Sequence, residues 1–461
     1  MGAYRIGGAG VGQGGSNMAY TDDADGSTAP RPRVEPAAMA SRPPVPSPPQ
    51  QEPYIPHRRG SHAVGSRFSR GFADRRGPSA ARGTAVPRTP ADPAAYPAAD
   101  AYDAAPGPGY DTPRPPRTSH RAHLPRRPRH GFLSFLLWLV MLAVAGLLAL
   151  RLLPLENASG RLVPELVSFV PLALAPTLVV VVLALLWHRR VLLVVSSLAL
   201  ALNGWWHAGY LLPTARVSAA ATAAVSAQAT TDDAYARVMT LNCLAGNASA
   251  ADIVRVVREQ HVEVLCLQEI NDGMVSDLEN AGIDEVLPYH VVSTGATSVS
   301  NGGRNGIWTL APQDNVSRNL LPIETSSMPA ANVQVGSRTV RVVSVHPNSP
   351  TRGAQDLWDE GLSVIGSLSS YDHAYLIMGD FNSTWDHARF RDLLGSSFMD
   401  ASQQSGEGFH MTYPSNKGVP SLIEIDHIVY ARDSGITVSS LEAVEIAGTD
   451  HKALVATLEA R

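Results

Sequence analysis

Three long apolar stretches between residues 132 and 212 constrain this chain more than any other feature. They are FLSFLLWLVMLAVAGLLAL (132–150), LVSFVPLALAPTLVVVVLALLW (166–187) and VLLVVSSLALALNGWWHAGYLL (191–212), and none contains Asp, Glu, Lys or Arg. Each has roughly the 20 residues needed to cross a bilayer core. Buried core helices of a soluble protein seldom come as three uncharged runs in a row, so the sequence predicts three transmembrane helices. Pro171 and Pro176 are expected to kink the second, which membrane spans tolerate.

Orientation follows from the basic residues. Arg121, Arg126, Arg127 and Arg129 precede the first run, and Arg189 with Arg190 joins the second to the third. The loop between runs one and two carries Arg151 and Arg161. Lys and Arg collect on the cytoplasmic side, so the expected topology is a multi-pass cell-membrane protein with its N-terminal tail in the cytoplasm. Everything after Leu212 is then extracytoplasmic. Trp205, Trp206 and Tyr210 are expected at the outer interface as an aromatic belt.

Residues 1–130 are rich in Pro, Ala, Gly, Ser and Arg and poor in Leu, Ile, Val and Phe. Such a segment cannot bury enough apolar surface to offset the entropy of ordering its backbone. It reads as a disordered tail with no motif that names a partner. Residues 213–234 read as a small-residue linker.

The remaining segment, 235–461, reads as a soluble domain of different character. It carries 14 Lys plus Arg against 27 Asp plus Glu, a net charge of −13, and only two lysines. RVMTLNCL and VEVLCLQEI read as strands flanking the helix SAADIVRVVREQ, a β-helix-β unit with strands apolar on both faces. Matching the polar ends Asn242 and Glu269 side by side sets Cys243 and Cys266 about four residues out of register. At roughly 3.3 Å per residue that exceeds disulfide reach, so both are expected as free, buried thiols.

The later strands repeat the pattern of an apolar run that stops at a polar group. RTVRVVSVHP ends at His346, and LIMGDFN ends at Asp380 and Asn382. IEIDHIVY carries Asp426, and AGTDHKAL puts Asp450 and His451 before the last strand. In LIMGDFN the i, i+2 spacing aims Asp380 and Asn382 the same way on a strand. An Asx turn closing the strand is the alternative. Each residue alone has a structural explanation; the ensemble at strand ends does not. Carboxylates and carboxamides without thiolates suit Mg²⁺, Mn²⁺ or Ca²⁺ rather than structural zinc. A histidine beside carboxylates can move or hold a proton near neutral pH. These are the parts for metal-assisted attack of water on phosphorus.

TLNCLAG, CLQEI, VSVHPNSP, IMGDFNSTW, IDHIVY and GTDHKAL, in this order, resemble the motifs of the endonuclease/exonuclease/phosphatase (deoxyribonuclease I-like) superfamily, here in a membrane-anchored bacterial form. The resemblance spans about residues 238–458 and implies an α/β fold, a four-layered α/β sandwich. It implies a metal site of Asn242, Glu269 and Asp450, with Glu269 the direct ligand. It implies a catalytic set of His346, Asp380, Asn382, Asp426 and His451, in which Asp380 and Asn382 orient water and phosphate, His346 contacts the phosphate and Asp426 holds His451. GIWTLA lacks a Ser-Arg pair common in the family, and DHKALV lacks the Arg and Pro that often follow the histidine. Neither departure removes a catalytic group.

The resulting expectation is a membrane-anchored, Mg²⁺-dependent phosphoester hydrolase, with His346 favouring phosphodiesters. Among these a nuclease-like phosphodiesterase leads, and the acidic charge of the domain weighs against it, because duplex nucleic acid is usually gripped by a basic surface. A phospholipid phosphodiesterase or a lipid or inositol phosphatase is therefore the alternative. A non-catalytic binding domain on the same fold is the reading from another class.

Overall fold

The structure, a computed structural model, describes residues 131–153, 155–156, 162–294, 304–351 and 353–461. The predicted disordered tail lies outside the described residues.

The first apolar run forms α1 (Gly131–Leu152), the one helix among the described residues long and apolar enough to cross a membrane. The second run does not form one helix. Pro164 lies in a short α2 (Leu162–Val167), Pro171 opens a 3₁₀ turn, and α3 follows (Leu174–Leu186). Pro176 sits in the first turn of α3, where a backbone N–H has no intrahelical partner to lose. The third run forms α4 (Arg190–Trp206) and then leaves the helix. At 1.5 Å per residue α4 is about 25 Å long, shorter than the expected 22-residue span. The missing residues dock elsewhere: the amides of Gly406 and Gly408 donate to the carbonyls of Gly209 and Tyr210. Tyr210 is buried and stacked on Phe409, so it belongs to this contact and not to an exposed belt. Trp205 alone of the three aromatics is largely exposed.

The stretch expected as a linker carries α5 (Ala219–Ala227), N-capped by Ser218. Ala221 and Val225 are buried, and the Ser218 amide donates to Glu459 at 2.6 Å.

Two six-stranded mixed sheets come next in the chain. The first has the order β11 (Ile436–Glu445), β12 (Lys452–Ala460), β1 (Tyr235–Asn242), β2 (Val264–Ile270), β4 (Arg304–Thr309), β3 (Tyr289–Val292). The second has the order β5 (Gln313–Ser317), β6 (Ala330–Val335), β7 (Arg338–Val345), β8 (Ala374–Asp380), β10 (Asp426–Ala431), β9 (Phe398–Asp400). Strand alternation sends side chains to two faces, and three apolar clusters result. Val238, Cys266, Val342, Leu376 and Met378 pack between the sheets. Leu241, Leu265 and Leu267 pack outward against α6 (Ala250–Glu259) and α7 (Asp272–Asn280). Val343 and Ile377 pack outward against α8 (Gln355–Gly366) and α9 (Ala388–Leu394). The layers are helix, sheet, sheet, helix.

Strand direction, more than strand order, decides where the polar ends meet. β1 and β2 run parallel, as do β7 and β8, so each pair ends together. β12 is antiparallel to β1 and β10 to β8, so their beginnings lie beside those ends. The observed register pairs Asn242 with Gln268, not Glu269, and Thr240 with Cys266. Cys243 is thus three positions from Cys266, and both are free, buried thiols whose ionisation burial pushes well up.

Gly379 lets β7 and β8 approach closely. A Cβ there would stand 1.9 Å from the Val345 carbonyl oxygen, a backbone atom that cannot swing aside. Gly379→Ala should therefore force the strands apart and destabilise the domain by about 3 kcal/mol, the upper range for overpacking. Thermal unfolding followed by tryptophan fluorescence measures this. An unchanged midpoint would mean the strands do not meet this tightly.

Candidate active site

The two sheets bring all eight predicted residues to one cleft of about 320 Å³. Asn242, Glu269, His346, Asp380, Asn382, Asp450 and His451 line it, and Asp426 lies directly behind His451. β1, β2, β7 and β8 deliver the first five at or just beyond their C-terminal ends, while β10 and β12 deliver Asp426 and His451 at their beginnings.

Asp380 is the centre. It is buried, and its Oδ2 accepts from Asn242 Nδ2 at 3.0 Å. The same oxygen stands 3.6 Å from His346 Nε2 and 3.8 Å from His451 Nε2. Its Oδ1 accepts the backbone N–H of Asn382 at 2.7 Å, an Asx turn. Of the two readings of LIMGDFN, the Asx turn closing the strand is the one observed. Asn382 itself is not on the strand: it takes φ 48° and donates from Nδ2 to the Pro347 carbonyl at 3.1 Å. Burial raises the Asp380 pKa, the nearby Asp426 adds to this, and His451 and His346 oppose it.

Glu269 reaches the cleft through a β-bulge. The pairing of β2 with β4 shifts between Leu267 and Ile270, and Glu269 takes φ 55°. The bulge lets Ile270 fall on the same outward face as Leu265 and Leu267, and frees Glu269 from the alternation. Its Oε2 accepts from the Ala245 amide at 2.8 Å and its Oε1 from Asn242 Nδ2 at 3.0 Å.

Asn242, expected in the metal site beside Glu269, is held by its loop. Its Oδ1 accepts the Leu244 N–H at 2.9 Å, which fixes the amide orientation and turns the NH₂ onto Glu269 and Asp380. Its NH₂ thus bridges the two carboxylates. Asp450 lines the cleft with its Oδ2 3.7 Å from Lys417 Nζ.

His451 is fixed by Asp426, whose Oδ2 faces His451 Nδ1 at 2.9 Å. Burial disfavours the imidazolium, but Asp426 and Asp380 overcome this and raise its pKa to about 10. Tyr413 packs over the ring at 5.0 Å between centroids.

The donor set fits a hard divalent cation. Asp380, Asp426 and His451 each offer an atom within 4.8 Å of one another, but His451 is already paired to Asp426, which leaves the cation to the carboxylates of the cleft wall. Glu269 and Asp450 supply those carboxylates. Oxygen-dominated sets of this kind suit Mg²⁺, Mn²⁺ or Ca²⁺.

Two features of the site are not expected from the sequence. Behind the site Asp400, Glu424 and His427 form a second buried cluster. His427 Nε2 faces the Ser383 carbonyl at 2.8 Å and its Nδ1 faces Asp400 at 3.3 Å. Burial opposes charge on His427, yet Asp400 raises its pKa to about 9; burial raises that of Glu424 to about 8. The adjacency of His427 to Asp426 was the available signal. The other feature is that Pro164, Glu165 and Ser168, from the helical region, line the cleft. Nothing in their local sequence marks them.

Residues 239–451 match the model of the Endonuclease/Exonuclease/phosphatase family. No curated protein matches the chain. Among solved structures, humanized D. rerio TDP2 carrying 14 mutations is 16% identical, with a TM-score of 0.41, over 49% of this chain and 100% of that one. The human Nocturnin catalytic domain with bound sulfate anion is 15% identical, with a TM-score of 0.38, over 50% and 97%. A Bacteroides thetaiotaomicron protein of the same family is 13% identical, with a TM-score of 0.38, over 50% and 96%.

The Asp426–His451 pair makes stability depend on pH. The folded-state pKa of His451, about 10, lies above the unfolded value of roughly 6.5. Its contribution is therefore fully present below about pH 6.5 and is lost as pH rises through 10. The metal-free protein should lose thermal stability between pH 7 and 10, and Asp426→Asn should flatten that decline. Equal slopes for the two proteins would contradict the pairing.

Proposed function

Because residues 239–451 form an endonuclease/exonuclease/phosphatase family domain, we propose that the chain is a membrane-anchored, divalent-metal-dependent phosphoester hydrolase acting on phosphodiesters. The observation that carries this reading is the convergence on Asp380 of one amide and two imidazoles, with Glu269 and Asp450 on the same cleft wall.

Glu269 and Asp450 would hold Mg²⁺, with Asn242 spacing Glu269 from Asp380. The ion, when bound, neutralises phosphoryl oxygens and so makes phosphorus more electrophilic. Asp380, whose pKa is raised by burial, accepts a proton from the attacking water as the new P–O bond forms; the ester P–O bond breaks and its oxygen takes a proton from solvent as the alcohol departs. His451, kept protonated by Asp426, donates to a phosphoryl oxygen on which charge builds. His346 Nε2 and the Asn382 loop bound the same pocket and orient the phosphate.

We read the helical region as the anchor, with three crossings. Phe135 and Leu142 of α1, Leu178 and Val182 of α3, and Leu198 and Trp205 of α4 are exposed, whereas Met141, Val144, Val180, Ala184 and Leu192 pack inside. An apolar exterior around an apolar interior suits lipid. α1 and α4 both end at the catalytic domain, and Arg189 and Arg190, which open α4, lie at the other end of the bundle. We read the N-terminal tail as cytoplasmic and the cleft as extracytoplasmic, from the basic residues of the sequence. A second reading, a lipid head group as substrate, is favoured by Pro164, Glu165 and Ser168 in the cleft wall.

The full chain in nanodiscs with Mg²⁺ should hydrolyse bis(p-nitrophenyl) phosphate faster than p-nitrophenyl phosphate. Plasmid DNA, RNA and phospholipid vesicles then separate the two readings. Asp426→Asn should lower kcat about 10²–10⁴-fold, by analogy with other carboxylate–histidine pairs. Glu269→Gln should raise the Mg²⁺ requirement and be partly rescued by excess metal. Asp426→Asn with His451→Ala should be little worse than His451→Ala alone, since partners in one unit are non-additive. Parent-level rates in all these variants would falsify the enzyme reading.

A further inference from the structure

Asp386 is fully buried on the segment that follows Asp380 and Asn382, and its partners come from the helical region. Arg151 Nε, in the last turn of α1, donates to its Oδ1 at 2.5 Å. His207 Nε2, just past α4, meets its Oδ2 at 2.9 Å. These residues are 235 and 179 positions away in sequence. The Arg151 guanidinium also lies 4.1 Å over the Trp206 ring.

The neighbours of Asp386 repeat the pattern. Trp385 Nε1 donates to the Trp206 carbonyl at 3.1 Å, and the Ala388 amide donates to Glu156 at 2.8 Å. His387 Nδ1 accepts the Thr384 N–H at 2.8 Å, so its proton sits on Nε2, which donates to the Pro164 carbonyl at 3.0 Å. On its other side the segment is tied to the catalytic centre: His427, next to Asp426, faces the Ser383 carbonyl. His387 and Pro164 both line the cleft.

A buried carboxylate is tolerated only when paired, and removing one partner leaves an uncompensated charge. The Asp386 carboxylate therefore depends on the helix ends that dock on it, while Trp358, Arg391 and His427 hold the rest of the segment from the catalytic side. We propose that Asp386 is a positioning residue that couples the helical anchor to the active site. Gripped by Arg151 and His207, it holds the segment that carries Asn382 at one end and His387 of the cleft wall at the other. The catalytic consequence rests on the hydrolase reading above; the docking itself does not.

The test uses the full chain in nanodiscs, comparing the parent with Asp386→Asn, Arg151→Gln and the double variant. Hydrogen–deuterium exchange is measured over residues 383–389 and over β8, alongside kcat and KM for bis(p-nitrophenyl) phosphate. Each single change should speed exchange over 383–389 at least tenfold and leave β8 unchanged. Each should lower kcat about 10–100-fold with KM within twofold, and the double variant should be no worse than the poorer single one. A general loss of folding would instead expose β8 as well, and that result overturns the proposal. So does parent-like exchange over 383–389, or faster exchange with an unchanged kcat. A parent without hydrolysis would sink the hydrolase reading, and exchange would then decide the docking alone.

Discussion

The site depends on keeping one ionisable group, Asp380, in the seam between two sheets. Such a group is costly to bury unless its lone pairs are met. Asn242 from the first sheet and the Asn382 amide from the second meet them. Asp380 thus joins the sheets by polar contact, as do the Asp426–His451 and Gln268–Ser344 pairs, beside the apolar layer between them. The strand directions follow the same requirement, because only ends beside beginnings can put six strands' polar residues around one carboxylate.

Three non-glycine residues of the cleft, Leu244, Glu269 and Asn382, lie in the left-handed region, and the last two flank this carboxylate. Such backbone costs on the order of 1–3 kcal/mol each, and here it turns two side chains out of strand alternation. Glu269 escapes the face its position would impose, and Asn382 folds back onto Pro347. The close approach of β8 to β7 at Gly379 places His346 beside Asp380.

Much of this was legible from residue types at strand ends. Apolar runs that stop at Asn242, His346 and Asp380 mark a sheet edge because a buried strand has no other use for polar groups. The pairing of Asp426 with His451 was legible only through family resemblance, since no local rule joins residues 25 apart. Three things were not legible. A bulge at Glu269 shifts the register by one, and no glycine or proline marks it. The orientation of the Asn242 amide is decided by the Leu244 N–H, a loop contact. Asp386 reads as an ordinary loop aspartate because both of its partners lie in a distant, apolar part of the chain. The apolar runs themselves were read by length and charge; prolines and the docking of Gly209 and Tyr210 shorten the helices below that estimate.

The contribution of Pro164, Glu165 and Ser168 to the cleft wall has a consequence for how substrate arrives. One side of the opening is built by the same helices that we propose as the anchor, and with that anchor the approach to Asp380 would run along the bilayer face. A solute dissolved in bulk must find this slot by a search in three dimensions. A molecule carried by the membrane searches in two, already at the right height. Its effective concentration is set by the geometry of attachment, as for any tethered pair. Selection would then come from where a phosphoester resides as well as from its shape.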